Sequence, residues 1–241
     1  MVYEPRTYRR WIKDNDLVSF TIAVKETDLY IRARRNLQRK ALKALLKHRA
    51  PVENYIKRHP AFLAALTPFP IQDDAPQIVK QMAEAAEKVG VGPMAAVAGA
   101  IAECVGRELL TFSPEVIVEN GGDLFLKISK QRVVGVYAGM SYFTGRIALE
   151  INPEQTPLGV CTSSRTVGHS LSLGQADAVI VLSRSCALAD AAATAIGNLI
   201  DGPDGISSAI EFAQHVDGLV GVAIIKDEKM GLWGEMKICA V

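Results

Sequence analysis

Hydrophobic and polar positions change rhythm several times along the chain. At 17–24 (LVSFTIAV) and 28–33 (DLYIRA), β-branched and aromatic residues cluster and predict two strands, turned by Lys25-Glu26-Thr27. Tyr8–Lys13 predicts an earlier strand, so the chain is expected to open with an antiparallel hairpin or meander. A helical period follows: Leu37, Ala41, Ala44 and Leu45 form an apolar stripe, and Arg39, Lys43 and Lys47 share another face. Prolines at 51, 60, 68 and 70 divide the next stretch into short helices and a turn. Pro76–Val89 reads as a second amphipathic helix with Ile78, Met82, Ala85 and Ala86 inward. Gly90-Val91-Gly92 breaks it. Pro93 is expected to start a small-residue helix reaching Leu110, with N-terminal N–H groups able to face an anion.

Strand-like runs at Val116–Glu119 and 124–128 (LFLKI) flank Asn120-Gly121-Gly122-Asp123. The paired glycines fit a hairpin turn, and equally a place where main chain approaches a ligand closely. Gln131–Tyr137 and Ile147–Ile151 predict further strands. A polar, small-residue loop (Thr162–Gly174) then meets an apolar run (Ala178–Leu182) and a helix of Ala, Leu and Ile from Ser185 to Ile200. Ser207–Val216 reads as helix, and Leu219–Ile225 and Glu235–Ala240 as closing strands turned by Asp227-Glu228-Lys229. The whole predicts an α+β fold, with mixed or antiparallel sheets packed with helices. No repeat, low-complexity segment or linker divides it. Residues 1–241 are expected to form one unit, an N-terminal hairpin and helices at 1–90 and a core at 91–241.

Composition narrows the partners. The chain has 241 residues, 49% of them hydrophobic, which is enough for a sizeable core. Its 27 basic and 26 acidic residues nearly balance. The basic helix face has no interleaved aromatic platform and reads as a solvated face, so no nucleic-acid partner is expected. No uncharged run reaches the ~18 residues of a membrane span, and the charged N-terminus lacks the apolar core of a signal peptide. A soluble, cytoplasmic protein is expected. Cys104, Cys161, Cys186 and Cys239 are widely spaced, which predicts reduced, buried thiols and no zinc site. Cys161 precedes the hydroxyl-rich loop and has Arg165 nearby, so it is the thiol with the best claim to reactivity.

The helix at 185–200 carries one charged side chain, Asp190, and Thr194 lies one turn further on the same face. A carboxylate among apolar neighbours needs a cation or several hydrogen bonds. Oxygen ligands at this spacing suit Mg²⁺, whose shell backbone carbonyls from Val97 or Ala98 could complete. The alternative is an Asp that accepts backbone N–H bonds from a neighbouring loop. Gly168-His169-Ser170-Leu171-Ser172 lacks the final glycine of a nucleophile elbow, and no helix follows it directly. A Cys161–His169 or Ser170–His169 pair stays open for nucleophilic chemistry. No phosphate-binding Walker loop, dinucleotide fingerprint or EF-hand is present.

The runs VKETDL (Val24–Leu29), VENGGDL, GVCTSSRTVGHSLSLGQADAV and ALADAAATAIGNL together resemble an uncharacterised ApbE-like family, over nearly the whole chain. From about Gly92 to Ile200 the chain is also similar, more distantly, to the ApbE flavin transferases. These are Mg²⁺-dependent enzymes that take FMN from FAD and attach it to a Thr or Ser of a target protein. The resemblance implies an ApbE-like fold. It casts Asp190 and Thr194 as metal ligands. Gly121, Gly122 and Asp123, with Thr162, Ser163, Ser164 and Ser170, become nucleotide-binding residues, and His169 the catalytic residue. The Asp-Pro and Thr-Gly that follow the active-site histidine in the transferases are missing here, and no lysine stands at Val97, Ala98 or Gly99. What the resemblance implies is therefore Mg²⁺-dependent binding, with transfer or hydrolysis, of a flavin (FAD or FMN) or another pyrophosphate-bearing nucleotide. A protein acceptor would be the partner. The alternative it implies is an accessory protein of sulfur assimilation into homocysteine, with a sulfur-metabolism partner, that keeps the pocket without the chemistry. Gly121 and Gly122 are expected to border the same cleft as His169.

Overall fold

Side chains alternate across a strand, so a strand apolar at every position must be covered on both faces. The run at 178–183 is of this kind, and it lies deep in the molecule. A computed structural model describes residues 16–164 and 174–241 of the chain. Among them are eleven strands and six helices. In order these are β1 (Val18–Val24), β2 (Thr27–Ala33), α1 (Gln38–Arg58), α2 (Pro60–Ala64), α3 (Gln77–Val89) and α4 (Val97–Leu109). There follow β3 (Val116–Asn120), β4 (Asp123–Lys127), β5 (Arg132–Gly135), β6 (Ile147–Ile151), β7 (Leu158–Ser163) and β8 (Ala178–Ser183). The chain closes with α5 (Cys186–Asn198), α6 (Ile206–Gln214), β9 (Leu219–Lys226), β10 (Lys229–Gly234) and β11 (Ile238–Ala240).

Eight strands form one sheet in the order β1-β2-β3-β4-β7-β8-β9-β10, and β11-β6-β5 form a second. Every pairing among the described residues is antiparallel. The fold is α+β. The helices cover one face of the large sheet: Val118, Phe125, Cys161, Val179 and Val181 join them in one core. The small sheet covers the other face: Ile117, Leu126, Val160, Ile180 and Leu182 pack there with Leu149 and Ile151 of β6. Successive residues thus serve opposite cores, which is why these strands read as continuous apolar runs.

Several boundaries differ from the sequence reading. α1 runs on through Pro51. The carbonyl that loses a partner there belongs to Lys47, on the exposed face, where water can serve it. The segment from Pro93 starts as a 3-10 turn, Pro93–Ala96, and the α-helix proper begins at Val97. β9 pairs with β10, while 238–240 crosses to the second sheet. β10, KMGLWG, was hidden because its glycines interrupt the period-two pattern. β7 carries strand through Thr162 and Ser163, the first two residues of the expected loop. Tyr8–Lys13 lies outside the described residues. No single described helix is long and apolar enough to cross a membrane.

A buried charge cluster ties the two sheets. Glu115, just before β3, accepts from Arg132 Nε at 2.8 Å and from Ser129 Oγ at 2.7 Å. Arg34 Nη2 lies 2.8 Å from the same carboxylate, and Arg132 also donates to Asp16 Oδ1 at 2.8 Å. Burial works to raise the Glu115 pKa, but Ser129, Arg132 and Arg34 outweigh it and hold the carboxyl below its ordinary value.

Candidate functional site

The site gathers at one end of the large sheet. β3 ends at Asn120, the turn passes through Gly121 and Gly122, and β4 starts at Asp123. Gly121 has φ 68° and Gly122 φ 113°, conformations that side-chain-bearing residues rarely adopt. A Cβ added at Gly122 would meet only the Thr162 carbonyl, at 3.9 Å, so the turn is open on that side. The end of β7 lies alongside, and Thr162 N–H donates to Asp123 Oδ1 at 3.3 Å.

From here alternation sends neighbouring side chains to opposite faces. Thr162 and Ser164 border a cavity of about 100 Å³ between the two sheets, together with Gly121 and Gly122. Asp123, Cys161 and Ser163 turn to the helix side. Ser163 sits there beside Gly197 of α5, apart from the cavity. Asp123 is buried, and its carboxylate is close enough to Asp190 on α5 to act on it electrostatically.

α4 and α5 cross closely at this point. A Cβ on Gly99 would lie 2.2 Å from the Cys186 carbonyl and 2.9 Å from Asp190 Cβ, so only glycine permits the approach. Each helix supplies a carboxylate to the other's N-terminus. Glu103 Oε2 accepts from Cys186 N–H at 2.8 Å, and Asp190 Oδ2 accepts from Gly99 N–H at 2.8 Å. The first amides of α4 do face an anion, and that anion is Asp190. The Ala98 carbonyl accepts from Asn120 Nδ2 at 3.1 Å, so the turn offers Asp190 amide N–H groups where carbonyl oxygens were expected. Burial first, and the Asp123 carboxylate second, push the half-buried Asp190 well above the usual carboxylate range, while the Gly99 and Ala98 amides work the other way. Thr194, also half-buried, stands one turn further along α5.

Among the described residues no group of three or more His, Cys, Asp or Glu is arranged to hold a metal ion. Asp123 raises the cost of ionising Asp190, and Thr194 lies one turn from Asp190 along α5. Two carboxylates that raise each other's cost of ionisation are chemically suited to a divalent ion. His169 and Ser170, and with them the Ser170–His169 and Cys161–His169 pairs, lie outside the described residues. Cys161 and Cys186 are fully buried side by side, and burial pushes both thiols well above their ordinary pKa. Cys161 Sγ lies 3.4 Å from the Cys186 carbonyl. Burial, and after it the Asp123 and Asp190 carboxylates, make the Cys161 thiol the reverse of an activated nucleophile.

Four cavity residues with polar side chains escaped the sequence reading: Tyr30 and Arg32 of β2, Glu119 of β3 and Tyr137. The signal was in β2, where Tyr30 and Arg32 alternate with the fully buried Leu29, Ile31 and Ala33. Such alternation says which face a residue takes. It does not say that a second sheet will roof that face.

Residues 9–219 match the family model described as AbpE bacteria. The UPF0280 protein of Methanocaldococcus jannaschii is 42% identical over 221 residues, 89% of this chain and 90% of the relative. That of Methanopyrus kandleri is 42% identical over 225 residues, 90% and 91% of the two chains. The chain belongs to this family. Among solved structures it is similar to the flavinyl transferase ApbE of Pseudomonas stutzeri, with a TM-score of 0.57 and 13% identity over 90% of this chain and 94% of that one. The ApbE protein of Thermotoga maritima gives a TM-score of 0.55 at 13% identity, over 91% and 97%. At such identity the likeness is one of fold.

Proposed function

We propose that the chain binds a pyrophosphate-bearing nucleotide, a flavin in the first place, together with Mg²⁺, and transfers or hydrolyses it. One observation carries the reading: the Gly121–Gly122 turn and the Thr162–Ser164 strand end border one cavity, and the residue after that turn, Asp123, neighbours Asp190. Fold likeness to flavinyl transferases supports it. In this reading the Gly121–Gly122 main chain lets phosphate oxygens approach, and the Thr162 and Ser164 hydroxyls hydrogen-bond them. Asp190, Asp123 and Thr194 hold the cation, which when bound offsets the pyrophosphate charge. His169 is the proton-transfer residue, with Ser170 beside it.

A second reading is favoured by the same hydrogen bond. An Asp190 already satisfied by the amides of α4 can be a helix cap in a chain that keeps the pocket without the transfer step. The test is incubation with FAD and Mg²⁺, following flavin fluorescence and FMN release. The first reading expects saturable binding and slow FMN release, both lost in Asp190→Asn and the release lost in His169→Ala. Binding without release, unchanged in His169→Ala, supports the second. No binding of FAD or ADP at high micromolar concentration, with or without Mg²⁺, overturns both.

A further inference from the structure

α1 carries leucines on two sides, and only one side meets the core. Ala41, Ala44, Leu45, Val52 and Tyr55 are buried, as the helical period requires. On the opposite side Leu42 is 39% exposed and Leu46, one turn on, 49%. Arg39 and Lys43 stand beside them, also one turn apart and exposed. In sequence these basic positions read as a solvated face; the structure adds two leucines to it. The patch continues beyond the helix. Lys40 Nζ lies 4.8 Å from the centre of the Phe112 ring, itself 38% exposed, and Arg35 Nε donates to the Phe112 carbonyl at 3.0 Å.

The positive charge of this face is not matched locally. The chain has no acid between Asp28 and Glu53. The acids at the border are already engaged: Glu108 by Lys47 and His48, Glu26 by Arg49, and Glu53 by Arg49 and Lys25. Among the described residues Arg39 and Lys43 enter no ion pair. Arg39 and Lys40 also stand in the first turn of α1, which holds no acid. Cations at that positive end of the helix dipole cost the helix stability, and an anion from outside offsets the cost. Residues 1–15 carry Arg6, Arg9, Arg10 and Lys13 against Glu4 and Asp14, so they bring no net counter-charge. A second copy of the chain would set like charge against like.

We propose that this face of α1 docks on an anionic lipid bilayer, with Leu42 and Leu46 entering the headgroup boundary and Arg35, Arg39, Lys40 and Lys43 meeting the lipid phosphates. One occupant accounts for both features of the face. A bilayer presents negative charge above an apolar layer, and it yields around a ridge of mixed side chains. An acidic protein would need fitted pockets for two leucines on the outer side of a helix. The long stems of arginine and lysine reach the phosphates while the leucines go deeper. α1 packs on the helix side of the large sheet, and the cavity lies between the two sheets on the other side. Docking therefore does not cover the cavity, and it stands or falls apart from the nucleotide reading.

The test is sedimentation of the full chain with phosphatidylcholine vesicles, with and without phosphatidylglycerol, followed against lipid concentration. Binding is expected to the anionic vesicles and not to the neutral ones, and it should fall as salt is raised. Arg39→Gln combined with Lys43→Gln is expected to weaken it roughly thirtyfold, while Arg39→Lys binds as the parent does. Leu42→Ser combined with Leu46→Ser is expected to weaken it about tenfold or more, through lost apolar insertion. All four positions are exposed, and thermal unfolding of each variant checks that the fold is kept. No binding to anionic vesicles overturns the proposal. So does equal binding to both vesicles, or full binding by the Arg39 and Lys43 pair of glutamines, which would place the contact on another surface. Vesicle binding unchanged by the serine pair, with equally tight binding to soluble polyglutamate, overturns the bilayer as occupant in favour of an acidic protein.

Discussion

Glu115 and Asp190 are both carboxylates enclosed by protein, and their surroundings treat them in opposite ways. Glu115 meets two arginines and a serine hydroxyl, and its pKa is held down. Asp190 meets two backbone amides and a second carboxylate, and its pKa is driven up. The first arrangement is complete: every charge has a complement from the protein itself. The second sets one carboxylate against another. Carboxyl groups whose pKa is driven up by burial and a like charge are found at functional sites more often than in closed structural charge clusters.

The largest effect that would test this contrast is at Glu115. Glu115→Ala strands the buried Arg132, and denaturant unfolding is expected to show a loss of about 3–5 kcal/mol. A loss under 1 kcal/mol would mean that Asp16 alone serves Arg132. Next comes Gly99→Ala, whose added methyl has the Cys186 carbonyl in its way. A destabilisation of about 1–3 kcal/mol is expected, together with weaker Mg²⁺-dependent nucleotide binding as Asp190 is displaced.

The pH dependence of the two carboxylates has opposite sign. The folded pKa of Glu115 lies below its ordinary value of 4.5, so its contribution is fully present above that value and is lost as pH falls through it and then through the lower folded value. The folded pKa of Asp190 lies above its ordinary value of 3.8, so the fold loses stability as pH rises from there toward the folded value. Unfolding of Asp190→Asn at a series of pH values should therefore lack that decline. At pH 7 it should equal the parent or exceed it by about 1 kcal/mol, since the amide oxygen still accepts from Gly99. A marked loss of stability on this substitution would put Asp190 in the same class as Glu115. The smallest effect concerns the thiols. Cys161 and Cys186 should resist a thiol reagent until the protein unfolds, and rapid labelling of either in the folded state would show that the acid pair is more open than its burial implies.

Element order was largely legible because helical and strand periods are local properties. The apolar run at 178–182, the stripe at 78–86 and the paired glycines each carried their own signal. The acid Asp190 was legible as an anomaly, one charge in an apolar helix. What it touches was not, because Gly99 lies far from it in the chain and only the helix crossing brings them together. The same holds for the cavity. Glu119 and Arg32 read as ordinary outward residues of an antiparallel strand, and only the second sheet turns that outward face into an interior. His169 and Ser170 were singled out by motif, and their segment lies outside the described residues.

The exchange of carboxylates between α4 and α5 has a consequence for how the molecule breathes. Fraying the start of α4 releases Asp190 from Gly99, and fraying the start of α5 releases Glu103 from Cys186. Neither helix can open alone without orphaning the other's first amides. Amide hydrogen exchange should then report the two helices as one cooperative unit, with matching opening free energies at Gly99 and Cys186. A ligand that drew Asp190 away would loosen this unit, so saturation with nucleotide and Mg²⁺ should speed exchange at Gly99 even as it slows exchange at Gly122.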